Sequence, residues 1–174
     1  MEPSKCTEKT EYQIRPAKTG DLEVVNRLLR QVLYVHYVGR PDLFNEVGKK
    51  YTDEELLKIF KNPQTPVFVY EKEGEVLGYV FCELKRQSSG SLKTLTTLYI
   101  DDLCVDERAR KQNVGKALFE YAKEFAKKSG CYNITLHVWE CNPGARAFYE
   151  AVGLTPQYTS MELICGDDSP NPDF

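Results

Sequence analysis

Histidine occurs only twice in these 174 residues, and no two of the six cysteines form a C-x-x-C pair. The spacing of a zinc site is therefore missing, and no resident metal is expected. Positive charge is not in excess either: 23 Lys and Arg against 26 Asp and Glu leave a net charge of −3. That balance excludes the broad basic face of a general nucleic-acid binder. Long apolar runs are also lacking. The opening stretch MEPSKCTEKTE has no hydrophobic signal-peptide core, and no later run is long enough to span a bilayer. The phosphate-loop pattern G-x-x-x-x-G-K-[ST] does not occur, which removes the usual nucleotide hydrolases. A cytoplasmic protein with reduced thiols and neither nucleic-acid nor membrane partners is expected.

What the chain does contain suits one compact domain. Hydrophobic residues make up 41% and charged residues 28%, over a length that fills one core but not two. The whole span 1–174 is read as one domain, with residues 1–10 a flexible leader and 166–174 a flexible tail.

Period and punctuation lay out the elements. YQIRPA reads as a short edge strand limited by Pro16. A helix follows from the cap candidates Thr19 and Asp21, with Leu22, Val25, Leu29, Val32, Leu33 and His36 on one face. Pro41 breaks it, and TDEELLKIFK forms a second helix capped by Thr52. From Pro66 the period changes to two, giving a hairpin around Gly74 and a third strand, TLTTLYIDDLCVD, after a turn at SSGSLK. Residues 113–129 make an amphipathic helix ended by Gly130. NITLHVWE reads as a strand, NPGARAFYEAVG as a short helix, and LTPQYTSMELI as a strand that closes the sheet. The outcome is a mixed α/β fold with a mainly antiparallel sheet flanked by helices, not a doubly wound dinucleotide fold.

Between the third strand and the long helix lies DERARKQNVGKA. A strand, a loop and a helix start make an anion site, because the first helical N–H groups lack internal partners and the dipole is positive there. Arg108, Arg110, Lys111 and Lys116 add positive charge, and Gly115 permits close approach of a phosphate. A solvated basic turn that merely caps a helix is an equal reading of this loop alone.

LCVDERARKQNVGKALFEYAKEFAKKSG followed by ITLHVWECNPGARAFYEAVGL closely resembles the GNAT superfamily of acyl-CoA-dependent N-acetyltransferases. The family's loop reads Gln or Arg, two residues, Gly, one residue, Gly or Ala. Two registers fit: Gln112 to Ala117, and Arg110 to Gly115. The distances back to Val105 and forward to Leu118 favour the second, which puts Asn113 where the pattern has its first glycine. Asparagine is the residue after glycine most able to enter the left-handed region.

The resemblance implies a GNAT-like fold, acetyl-CoA as cosubstrate and transfer to a primary amine of a small molecule or peptide. It assigns Leu103, Cys104 and Val105 to the pantetheine arm. Arg110, Lys111, Gln112, Asn113, Val114, Gly115 and Lys116 would cradle the pyrophosphate, with Asn142 at the last helix start among the cofactor contacts. Tyr149 takes the family's general-acid position, whereas its composition and neighbours alone would make it a core aromatic. His137 occupies a strand position where some members carry a glutamate base. Many relatives pair as dimers.

The general base stays open between His137 and the pair Asp101 and Asp102. Only one of two adjacent strand residues can face a given side, and Asp102 is phased with Ile100 and Cys104. Burial among them would raise its pKa. A covalent route through Cys104 or Cys141, activated by His137, is a lesser alternative. The acceptor pocket is placed at the break HYVGRPDLF, with His36, Arg40 and Phe44 as its wall. A non-catalytic acyl-CoA-binding module of the same fold is the competing function.

Overall fold

Glu73 and Gly74 both take positive φ, 54° and 80°. That two-residue turn matches strand twist and folds β2 (Val67–Lys72) back on β3 (Glu75–Ser89). In the computed structural model, which describes residues 12–165, this hairpin is the centre of a five-stranded sheet in the order β1-β2-β3-β4-β5. β1 (Tyr12–Pro16) pairs antiparallel with β2, and β4 (Leu92–Val105) antiparallel with β3. β5 (Asn133–Leu136) joins β4 in parallel. The expected leader and tail lie outside the described residues.

The period-two alternation of the strands feeds two cores. Phe68, Tyr70, Val80, Cys82, Leu98 and Ile100 pack on the inner face of α3 (Val114–Lys128). Val67, Val69, Tyr79, Phe81 and Cys104 face the other way, onto α1 (Leu22–Gly39) and α2 (Asp53–Lys61). α4 (Pro143–Ala151) lies on the α3 side, where Phe148 and Val152 join the first core. α2 begins with a capping box: the Thr52 side chain accepts from the Glu55 N–H, and Glu55 accepts from the Thr52 N–H. No helix among the described residues is long and apolar enough to cross a membrane.

Three expectations need correction. Residues 154–165 form no strand. β5 offers an edge of four residues, and Pro156 withholds a ladder donor, so Met161 and Leu163 stay exposed at 93% and 85%. β5 itself stops at Leu136, so His137 and Trp139 lie beyond the sheet and not on a strand face. The phasing of Asp102 with Ile100 also fails. Phe81 opposes Asp102 while Cys82 opposes Ile100, which leaves Asp101 as the extra residue of a β-bulge.

Candidate active site

β4 and β5 run together only from Thr97 opposite Asn133 to Ile100 opposite Leu136. Beyond that point the bulge at Asp101 bends β4, β5 ends, and the outer edge of residues 101–105 has no strand partner among the described residues. The gap opens into a cavity of about 1070 Å³. Its walls come from the C-terminal half of α1, the 43–50 loop, the β4 edge, the start of α3, residues 137–139 and α4.

The bulge brings both acidic residues to one side, against the rule that adjacent strand residues point apart. Asp101 Oδ2 accepts from Lys50 Nζ at 2.7 Å and from the Tyr51 hydroxyl at 3.0 Å. Asp102 Oδ2 accepts from the Tyr79 hydroxyl at 2.8 Å. Burial raises the Asp102 carboxyl to about 6, against the opposing pull of Lys50's charge and the Tyr79 hydrogen bond. A carboxyl at that value exchanges a proton near neutrality.

At the far end, Asn113 caps α3 with φ 63° and ψ 9°, so the residue at the glycine position holds the left-handed geometry. Lys111 is left-handed as well, at φ 61°. The first bond into the helix runs from the Ala117 N–H to the Asn113 carbonyl at 2.9 Å, and the Val114, Gly115 and Lys116 N–H groups precede it. Arg110, Lys111 and Lys116 line this end, none of them ion-paired among the described residues. Arg108 does not contribute mobile charge: it is held by Asp106 and Glu75.

Asn142 caps α4 through its side-chain oxygen, which accepts from the Ala145 N–H at 3.1 Å, and Pro143 occupies the first turn. Phe148 packs against the α3 core and lines the cavity beside it, and Tyr149 lines the cavity as well. Burial, reinforced by the nearby Asp102 charge, pushes the Tyr149 phenol well above its usual value. The phenol therefore stays protonated.

His137 lies between two phenols, with Nδ1 3.3 Å from the Tyr99 hydroxyl and Nε2 2.5 Å from the Tyr158 hydroxyl. Cys104 contributes to the wall while its thiol is buried, sits 3.6 Å from the Leu28 carbonyl, and is raised to about 12 by burial. That thiol is not a ready nucleophile. Two expected residues are absent from the walls: Gln112 donates to the Arg108 carbonyl, and Arg40 is bound to Asp42 and Glu162. Leu103, Val105, His36 and Phe44 do line it. Lys50 and Tyr99 were not foreseen, since a lysine in an exposed loop and a strand tyrosine carry no signal of their own.

Residues 33–154 match the model of the acetyltransferase (GNAT) family. The chain belongs to the GNAT family of N-acetyltransferases. An uncharacterised N-acetyltransferase of Methanocaldococcus jannaschii is 30% identical over 155 residues, 89% of this chain and 64% of that protein. Another, from Lactobacillus delbrueckii subsp. lactis, is 25% identical over 127 residues, 73% of this chain and 72% of the relative. Among solved structures, a single-residue mutant of the BH1408 protein of Bacillus halodurans superposes with a TM-score of 0.84 at 30% identity, covering 87% of this chain and 98% of that one. An aminoglycoside N-acetyltransferase in complex with CoA shares the GNAT fold at a TM-score of 0.68 and 14% identity, over 91% and 97% of the two chains.

Proposed function

We propose that the protein transfers the acetyl group of acetyl-CoA to a primary amine by direct attack on the thioester. The observation that carries this is one cavity lined by three elements: a cationic helix start, an unpartnered strand edge, and a protonated tyrosine close to a carboxyl that titrates near neutrality. The pyrophosphate would take the N–H groups of Val114, Gly115 and Lys116 and the charges of Arg110 and Lys111. The pantetheine amides would pair with the free β4 edge at Leu103 and Val105.

An alkyl ammonium, with a reference pKa of about 10.4 for a lysine-like amine, must lose a proton before it attacks. Asp102 accepts that proton, directly or through water. The nitrogen bonds to the acetyl carbon and gives its second proton to solvent, the C–S bond breaks, the sulfur takes its proton from Tyr149, and the phenol and Asp102 return to their starting states by exchange with solvent. The two steps are coupled. Desolvation and then Asp102's negative charge hold the phenol's pKa up, so protonating Asp102 lowers it at the moment the thiolate forms. We also propose a reducing, cytoplasmic setting, which suits thiols at Cys82, Cys104, Cys131, Cys141 and Cys165 that are free among the described residues.

Replacing Tyr149 by Phe tests the assignment. The expected result is a kcat lower by about 10²-fold with unchanged affinity for acetyl-CoA, the size usual for one general acid. A kcat within twofold of the parent removes the hydroxyl from the mechanism.

A further inference from the structure

Three rings meet on the cavity wall. Phe44 packs edge-on to Trp139 at 5.4 Å between centroids and tilts against His36 at 5.0 Å, and His36 lies 6.4 Å from Trp139. The cluster is fixed by backbone. Gly39 of α1 meets Cys141 so closely that a Cβ there would lie 2.6 Å from the Cys141 sulfur. That contact draws His36, one turn back along α1, against Trp139. Burial, with Lys50's charge added, lowers the His36 pKa, so the third ring is neutral at neutral pH. Trp139 still exposes 41% of its surface, inside a concavity. Apolar area left open in a hollow is the usual mark of a ligand surface.

The charges nearby are already matched. Lys49 is held by Asp53 at 2.9 Å, Lys50 by Asp101 at 2.7 Å, and Arg40 by Asp42 and Glu162. An acceptor bearing a phosphate would have to displace one of these acids. A polycation needs several open carboxylates, and Asp101 is already neutralised. Asp102, whose one side-chain hydrogen-bond partner among the described residues is the Tyr79 hydroxyl, remains for a single ammonium.

We propose that the acceptor is a monoamine with an aromatic body, its ring against Phe44 and Trp139 and its nitrogen at Asp102. This rests on the acetyl transfer argued above and narrows it. A free arylalkylamine and a peptide N-terminus with an aromatic first residue share this chemistry.

The test is thiol release from acetyl-CoA with equal concentrations of phenethylamine, a phenylalanyl tripeptide, ethylamine, glucosamine 6-phosphate and spermidine, alongside calorimetric titration of acetyl-CoA into the same preparation. One of the two aromatic amines is expected to exceed ethylamine, glucosamine 6-phosphate and spermidine by about tenfold in kcat/KM, the scale of one well-packed ring. Which of the two leads identifies the source. Trp139→Ala and, separately, Phe44→Ala are expected to raise KM for the better aromatic amine about tenfold with little change in kcat. Highest turnover of glucosamine 6-phosphate, spermidine or ethylamine overturns the proposal. Acetyl-CoA binding without turnover of either aromatic amine also overturns it while sparing the cofactor assignment. No acetyl-CoA binding overturns both.

Discussion

Asp102 joins strand register to proton chemistry. Its carboxyl rises to about 6 because burial outweighs Lys50 and Tyr79. The proposed base is active when ionised, so kcat/KM should fall as pH drops through about 6. Lys50→Met removes a charge that lowers this pKa, so the acid limb should move to higher pH. Asp102→Asn should abolish the limb and reduce kcat by about 10²–10⁴-fold. A pH-rate profile of the three proteins checks both, and an unmoved limb in Lys50→Met assigns it to another group. The sequence made Asp102 a candidate and placed it with Cys104 correctly. It misplaced Asp101, because a bulge is set by how two strands pair and not by either strand's pattern. Arg40 was misread for a related reason: its partner Glu162 is 122 residues away along the chain.

At the scale of elements, the α3 start depends on one backbone angle. Asn113 holds φ 63° without glycine. Asn113→Gly is expected to keep acetyl-CoA affinity within about twofold, since the geometry is already reached. Asn113→Val should cost about 1–2 kcal/mol of stability, the penalty of a left-handed residue for a branched side chain, measurable by urea denaturation. The β3–β4 pair has its own tight point at Gly78, where a Cβ would lie 2.7 Å from the Cys104 carbonyl and against Leu118 and Val114. Gly78→Ala should destabilise by about 2 kcal/mol, the usual cost of overpacking. Helices, hairpin and the left-handed turn at Asn113 were legible because period, caps and turn residues are local signals. The missing sixth strand was not, because alternation in 154–164 shows what could pair, not whether an edge is offered.

For the molecule as a whole, acid stability should follow a few buried carboxyls. Asp106 is fully buried and accepts from Arg108 and Arg27, whose contacts hold it well below the usual carboxylate range. Its folded pKa is depressed, so its contribution is complete above its unfolded value near 3.9 and is lost as pH falls through the folded one. Asp21, lowered chiefly by Arg15 against its own burial, acts in the same direction. Asp102 acts the other way: its raised pKa is a penalty above about 6 that is relieved between 6 and 4. Urea denaturation should therefore show stability level or slightly higher at pH 5 than at pH 7, and a steep loss only below pH 4. Asp106→Asn should cost about 2 kcal/mol at pH 7 and flatten that loss, since both arginines can turn to water.

Titration of acetyl-CoA into the purified protein tests the central claim most directly. Saturable binding is expected, weakened about tenfold by Arg110→Ala as one charge-assisted contact is lost. Absence of binding to the parent protein would contradict the assignment of the cavity.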